Sequence, residues 1–127
     1  AIYSTGHSEP SKMRPDNWNM DLFFLARPNA HRVQLDLFYD YRTNAALYDT
    51  WQAFLRENQP PTLILWGQGD IFFTPAGGEA YLRDLPDAEL VRLDSGHFAV
   101  EDRLEEITDS ILRFYDSRVR RDDSLST

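Results

Sequence analysis

Two short glycine-containing segments each present one titratable side chain that could take part in acid–base chemistry. Asp70 ends the segment Gly67–Asp70, and His97 ends the segment Asp94–His97. A carboxylate next to an imidazole is the unit that general acid–base catalysis requires, because the carboxylate accepts a hydrogen bond from one ring nitrogen, fixes the tautomer and stabilises the imidazolium. Asp70 and His97 are therefore a candidate catalytic pair if the fold brings them together.

The segments before Asp70 and His97 have the composition of β-strands. Thr62–Trp66 is a short apolar run bounded by proline and glycine, as in a strand buried on both faces, and Glu89–Leu93 is a more polar strand nearer a sheet edge. Pro75–Leu85 predicts a helix between them. Strands joined in this way are almost always parallel, so their carboxyl ends, where open α/β sheets bind ligands, lie at one edge. We therefore expect Asp70 and His97 to share that edge.

The rest of the chain predicts helices and one irregular segment. Residues 1–19 are rich in polar residues and proline, which predicts a loop that packs on another part of the protein or stays mobile. Apolar spacing predicts four helices: a short one over residues 20–26, one over Ala30–Arg42 with Asn29 as N-cap, one from Asp49 or Thr50 to just before Pro60, and a long one over Glu101–Ser117. We accordingly divide the chain into a loop and helical segment, residues 1–59, and a β-α-β-α part, residues 60–127.

Composition narrows the possible functions. The chain has 21 acidic and 13 basic residues and a net charge of −8, which disfavours nucleic acids and anionic membranes as partners. It contains no cysteine, so disulfides, thiolate metal sites and a cysteine nucleophile are excluded. His7 and His31 have no ligand partners at metal-binding spacing, and we predict surface or packing histidines, no metal and no cofactor. No signal peptide or apolar run of bilayer length is evident, which predicts a cytoplasmic protein.

At Asp70 and His97 the sequence strongly resembles the C-terminal motifs of the α/β-hydrolase superfamily. The matching stretches are Pro60–Asp70, Pro86–Glu89 and Ser95–Phe98, within a resemblance that extends from about Pro28 to Tyr115. The resemblance implies an α/β class with a partial α/β-hydrolase fold: the last two parallel strands with their crossover, the C-terminal helices, and helices derived from a cap domain. In that family the Asp after the penultimate strand is the triad acid and the His after the last strand is the general base. By position these roles fall on Asp70 and His97, and the resemblance implies a small-molecule substrate.

A second resemblance concerns the helical part of the chain. Phe38–Asn44 is similar to the tyrosine-bearing cap helix of the epoxide hydrolase and haloalkane dehalogenase branch. In epoxide hydrolases a cap tyrosine donates a proton to the epoxide oxygen, so the resemblance implies that Tyr41 or Tyr39 binds substrate. The alternative is that these tyrosines only pack and cover neighbouring loops, as amphipathic aromatic residues commonly do.

The sequence departs from the family in its nucleophile. The nucleophile elbow is a strand–turn–helix with glycine on both sides of the nucleophile. Gly6–Pro10 resembles it superficially, but no apolar strand precedes it and Pro10 stands where a glycine is expected, so Ser8 is not assigned as nucleophile. Two parallel strands are also a poor free-standing sheet. We therefore expect a truncated piece of a longer hydrolase, or a sheet completed by another chain, and no turnover by this chain alone.

Three functions follow from these observations. The leading one is a hydrolase portion in which His97 activates water against a covalent ester intermediate; a Ser nucleophile would imply an ester or amide substrate, and an Asp nucleophile an epoxide or alkyl halide. The second is a non-catalytic binding or assembly module that kept the hydrolase scaffold. The third, a flavodoxin-like domain, would require phosphate-binding loops that the sequence does not show.

Overall fold

A computed structural model describes residues 2–120, which form two compact units. One unit comprises residues 14–58, and the other comprises residues 2–13 together with 59–120. The boundary between residues 58 and 59 lies next to the one predicted between residues 59 and 60. Residues 2–13, predicted to belong with the helical segment, belong instead to the unit that holds the strands. The domain assignment itself stays a prediction.

The unit of residues 14–58 is helical. It contains α1 (Pro15–Leu25), α2 (Ala30–Tyr41), a 3-10 helix (Arg42–Leu47) and α3 (Tyr48–Asn58). The loop prediction is wrong for residues 15–19: α1 starts at Pro15, because proline fits the first helical position and the acidic Asp16 suits the first turn. Asn29 is the N-cap of α2, but it adopts a left-handed conformation (φ 65°) and no side-chain cap hydrogen bond forms. Its carbonyl oxygen instead accepts a hydrogen bond from the Val33 N–H.

The other unit holds the strands. Its elements are a 3-10 helix (Pro10–Lys12), β1 (Leu63–Gly67), α4 (Pro75–Ala80) with a 3-10 turn (Tyr81–Arg83), β2 (Glu89–Leu93), α5 (Ala99–Asp102), α6 (Leu104–Phe114) and a π-helix (Tyr115–Val119). The long helix predicted from Glu101 is interrupted, because Arg103 leaves helical geometry between α5 and α6. Across residues 2–120, no helix combines the length and the apolar character needed to cross a bilayer.

Strands β1 and β2 form a parallel sheet, as the sequence predicts. The register pairs Leu63 with Glu89 at one end and Gly67 with Leu93 at the other, so both strands end at the same edge. Leu93 is fully buried, while Leu65 in β1 is only half-buried. The predicted burial of the first strand on both faces is therefore not seen within the described residues, where β1 has a neighbour on one side only.

Candidate active site

The loops that leave β1 and β2 lie against each other. The Gly69 N–H donates a hydrogen bond to the Ser95 carbonyl oxygen at 2.9 Å, which continues the contact between the strands into the loops. A Cβ atom on Gly67 would lie 2.3 Å from the Gly96 carbonyl oxygen and 2.7 Å from that of Ser95. Real Cβ atoms do not approach backbone this closely, so the loops can meet only because residue 67 has no side chain.

The contact between the loops brings the two predicted titratable side chains together. His97 Nδ1 lies 2.9 Å from Asp70 Oδ2. The Asp70 side chain is 8% exposed and that of His97 is 21% exposed. A carboxylate accepts hydrogen bonds, so this contact assigns the ring proton to Nδ1 and leaves Nε2 able to accept a proton. The geometry is that of an oriented general base, and the catalytic roles of both residues stay a prediction.

The second oxygen of Asp70 is held by the backbone of its own loop. Asp70 Oδ1 accepts hydrogen bonds from the Phe72 N–H at 2.8 Å and the Phe73 N–H at 3.0 Å. Burial raises the pKa of Asp70, but the Phe73 N–H, the His97 ring and the Phe72 N–H together lower it by more, so the pKa of Asp70 lies below its ordinary value. Asp70 is therefore ionised at neutral pH.

Aromatic rings surround the imidazole of His97. Phe73 stacks on it with ring centroids 5.3 Å apart, while Phe72 and Phe98 meet it edge-on at 5.6 and 5.0 Å. Tyr3 in turn stacks on Phe98 at 4.4 Å. These contacts restrict the orientation of the imidazole and reduce its access to water.

Asp70 and His97 line a cavity of about 500 Å³ at the carboxyl ends of the strands. Its other walls are largely apolar and include Leu65, Trp66, Phe73, Phe98, Ile107 and Ile111. A second cavity, of about 410 Å³, lies at the opposite, amino-terminal ends of the strands and is lined by residues such as Thr62 and Ala88. The candidate pair belongs to the first cavity, which has the apolar walls and few polar groups typical of a small-molecule site.

The predicted substrate-binding tyrosines lie on α2, in the helical unit. Tyr39 and Tyr41 are exposed, and the Arg42 guanidinium lies 3.6 Å from the centre of the Tyr39 ring. Arg42 also donates a hydrogen bond to the Tyr39 carbonyl oxygen at 2.7 Å. Contact of either tyrosine with substrate stays a prediction.

The residues considered as a nucleophile or as metal ligands, Ser8, His7 and His31, do not line the cavity of Asp70 and His97. Ser8 Oγ donates a hydrogen bond to the Asp94 carbonyl oxygen at 2.7 Å and contacts the Arg103 guanidinium, which are contacts of a structural hydroxyl. His31 is exposed on α2, whereas His7 is buried. Residues 2–120 contain no group of three or more His, Cys, Asp or Glu residues placed to hold a metal ion.

Two features of the site were not found in the sequence. The first is the pair of backbone N–H groups, of Phe72 and Phe73, that hold the Asp70 carboxylate. The sequence signal for it is the Asp itself, because an Asp side chain in a turn commonly accepts hydrogen bonds from N–H groups two or three residues later. His7 contacts Ser95 and Asp102 in the interior. No local spacing signals that contact, because His7 and Ser95 are 88 positions apart.

Comparison with known proteins identifies the fold family of the chain. The alpha/beta hydrolase fold family matches residues 5–104, a range that contains both Asp70 and His97. An uncharacterized hydrolase of Saccharomyces cerevisiae is 34% identical over 113 residues, which cover 89% of this chain and 39% of the yeast protein. The chain thus spans about two fifths of the length of that relative. No solved structure gives a significant match.

Proposed function

Because the chain belongs to the alpha/beta hydrolase fold family, we propose that Asp70 and His97 are the acid and the general base of a hydrolase. One observation carries the proposal: His97 Nδ1 lies 2.9 Å from Asp70 Oδ2 beside a largely apolar cavity. Such a pair is what hydrolysis of a covalent ester intermediate requires.

In this reaction the pair moves one proton. His97 Nε2 takes a proton from water while the water oxygen attacks the carbonyl carbon of the ester intermediate. The bond between that carbon and its ester oxygen breaks, and the ester oxygen receives the proton back from the imidazolium. Asp70 stabilises the imidazolium and keeps its proton on Nδ1, and the two backbone N–H groups on Asp70 Oδ1 keep the carboxylate ionised and oriented.

The nucleophile, in this proposal, belongs to chain outside these 127 residues. The chain spans only 39% of the yeast hydrolase, and Ser8 is engaged with Asp94 and Arg103. The same additional chain would place strands beside β1, since a two-stranded sheet needs more strands for stability.

We propose an epoxide or alkyl halide as the substrate, with an ester or amide as the alternative. The similarity of Phe38–Asn44 to the cap helix of epoxide hydrolases supports the first choice, with Tyr41 or Tyr39 binding the substrate oxygen or halogen. The apolar walls of the cavity, including Phe73 and Phe98, support an apolar substrate group in either case.

The test uses the product of the complete reading frame that encodes this chain, assayed with an activated ester, an epoxide and a haloalkane. In the protein carrying His97→Ala, turnover should stop. If the nucleophile is an Asp, mass spectrometry should find the ester on it; if it is a Ser, the ester should not form, because His97 also takes the proton of the Ser hydroxyl. His31→Ala, which changes an exposed histidine of α2, is the control and should leave turnover unchanged. Turnover that survives His97→Ala would contradict the assignment.

The same experiment tests the alternative of a non-catalytic binding or assembly module. If the reading frame encodes no strand–nucleophile–helix element and the protein is a stable monomer without turnover on all three substrates, the module is supported and the hydrolase proposal is rejected. If the frame encodes the element, the residue at its turn distinguishes an ester or amide substrate (Ser) from an epoxide or alkyl halide (Asp).

A further inference from the structure

The second histidine–carboxylate contact of the molecule is fully buried. Ser95 Oγ donates a hydrogen bond to Asp102 Oδ1 at 2.5 Å, and His7 Nδ1 lies 3.2 Å from Ser95 Oγ and 3.1 Å from Asp102 Oδ2. The side chains of His7 and Asp102 are 0% exposed, and Ser95 is 0% exposed as a residue. We call these three residues the His7 cluster.

The hydroxyl of Ser95 lies between the imidazole and the carboxylate in this cluster. Because Ser95 has a single hydroxyl proton, which it donates to Asp102, the contact between Ser95 and His7 has His7 Nδ1–H as donor and Ser95 Oγ as acceptor. The 3.1 Å approach of His7 Nδ1 to Asp102 Oδ2 is close enough for electrostatic attraction but is not aligned as a hydrogen bond. The contacts therefore form a chain from His7 through Ser95 to Asp102.

We propose that the His7 cluster is a positioning device for His97, an inference that rests on the proposed function of the Asp70–His97 pair. Ser95 comes two residues before His97, and Asp102 comes five residues after it, at the end of α5. The hydrogen bond between them closes the backbone around His97 into a short loop. The position of the imidazole is thereby restricted from both sides.

The segment that carries His7 touches both loops of the site, the His97 loop at Gly96 and the Asp70 loop at Gly69. A Cβ atom on Gly96 would lie 2.4 Å from the Thr5 carbonyl oxygen and 2.8 Å from the His7 ring. Gly6, at φ +81°, packs against the neighbour of Asp70, since a Cβ on it would lie within 2 Å of the Gly69 carbonyl oxygen (1.9 Å). The segment of residues 5–7 thus fills the space behind both loops, and a shift of His7 would change the distance between them.

A catalytic role for the cluster itself does not fit this geometry. The Ser95 hydroxyl proton is directed at Asp102, and none of the three residues has a side chain open to solvent. A nucleophile must reach its substrate, and Ser95 cannot. The cluster acts through His97 and not on substrate.

The test measures the ring N–H proton of His97 in the product of the complete reading frame, with nitrogen-15 labelled histidine and NMR. Hydrogen bonding to Asp70 shifts this proton downfield and slows its exchange with solvent. In the variant His7→Gln, and in Ser95→Ala, we expect its exchange to become about tenfold faster or more, the size of effect expected for loss of a buried hydrogen bond. Asp102→Asn keeps an oxygen that can accept from Ser95 and should exchange more slowly than Asp102→Ala.

The exchange rate is compared with that of the backbone amides shared by β1 and β2. If His7→Gln accelerates both to the same extent, the cluster only stabilises the fold and the inference is wrong. If His7→Gln does not fold, Ser95→Ala decides, because it removes a single buried oxygen. His31→Gln, the same change at an exposed position of α2, is the matched control and should leave the His97 proton unchanged.

The variant Asp70→Asn separates this inference from the proposed function. Loss of the downfield His97 proton in Asp70→Asn, together with an unchanged proton in His7→Gln and Ser95→Ala, would overturn the positioning role alone. If the chemical shift and the exchange rate of the His97 proton are unchanged in Asp70→Asn, the Asp70–His97 contact is not formed. That result would overturn the proposed function and the inference together.

Discussion

Residues 2–120 include two histidine–carboxylate contacts of nearly the same length but in different environments. His97 and Asp70 meet at 2.9 Å beside a cavity, with the imidazole side chain 21% exposed. His7 and Asp102 meet at 3.1 Å with both side chains fully buried. The residue types are the same, so burial and neighbouring groups separate the two contacts.

The difference shows what each contact can do. A general base must exchange protons with water or substrate, and His97 lines a cavity whereas the side chain of His7 is fully buried. A buried contact instead restricts the backbone, and it is costly to break because the remaining partner is left without compensation. The comparison therefore predicts large effects on catalysis at Asp70 and His97, and large effects on stability at His7 and Asp102.

The largest predicted effect concerns catalysis. In the product of the complete reading frame, Asp70→Asn should lower kcat by about 10⁴-fold, because the amide no longer holds the proton on Nδ1 or stabilises the imidazolium. Asp102→Asn, the same change at the buried contact, should lower kcat only roughly tenfold, since it weakens one hydrogen bond of the positioning cluster. Steady-state kinetics on the hydrolysed substrate measures both.

Asp109→Asn is the control for both variants, because Asp109 is an exposed carboxylate on α6. It should leave kcat unchanged. Equal losses in Asp70→Asn and Asp102→Asn would remove the functional distinction between the two contacts.

The second prediction concerns stability, for which the buried contact should show the larger effect. Asp102→Ala removes the acceptor of Ser95 and the neighbour of His7 in the interior, and should lower the free energy of unfolding by about 3–5 kcal/mol. His97→Ala, at the partly exposed contact, should lower it by only about 1–2 kcal/mol. Urea unfolding followed by circular dichroism measures both, with exposed Asp109→Ala expected within about 0.5 kcal/mol of the unchanged protein. The comparison fails if His97→Ala is the more destabilising variant.

The third prediction concerns the glycine that lets the two loops meet. Gly67→Ala places a methyl group against the backbone of Ser95 and Gly96, and should cost about 1–3 kcal/mol because backbone must shift to make room. Gly77→Ala is the matched control, because its methyl group would meet only the Trp66 side chain, at 3.2 Å, and its effect should be below about 1 kcal/mol. Thermal unfolding of both variants decides. Equal stabilities would show that the loops are not in the close contact described.

The elements with local signals could be predicted from the sequence. β2 was predicted with its observed bounds, and α2 to within one residue, because apolar spacing and flanking turn residues define both. The start of α1 was missed, since the polar residues after Pro15 outweighed the helix-start signal of proline itself. The interruption at Arg103 has no local signal, because neither glycine nor proline stands between Glu101 and Leu104.

Burial was predicted less well than secondary structure. No residue of the fully described range 14–58 is buried, although its helices carry apolar residues such as Phe23 and Leu37. A local pattern shows which face of a helix is apolar, but not what covers that face. The same limit explains the half-buried Leu65 of β1.

In the candidate site, too, one part could be predicted from the sequence and another could not. The proximity of Asp70 and His97 could be inferred because parallel strands end at one edge of a sheet. The burial of His7 could not be inferred, because its contacts join positions 88 residues apart and depend on the close approach of Gly6 to Gly69. Long-range contacts without a periodic signal require the structure.

The smallest predicted effect concerns the pH dependence of stability at the Asp70–His97 contact. Since the pKa of Asp70 in the folded chain lies below its ordinary value of 3.8, folding favours the ionised carboxylate. That stabilisation is complete well above 3.8 and is lost as the pH falls below 3.8 and through the folded pKa, where both states bind the proton.

Asp70→Asn should remove this part of the pH dependence. The difference in free energy of unfolding between the unchanged protein and Asp70→Asn should therefore shrink as the pH falls below 3.8. Urea unfolding at several pH values measures it, with Asp109→Asn as the exposed control. A difference that grows as the pH falls below 3.8 would mean that Asp70 is not stabilised in its ionised form, and the Asp70–His97 contact would then lose the property that distinguishes it as an oriented acid–base pair.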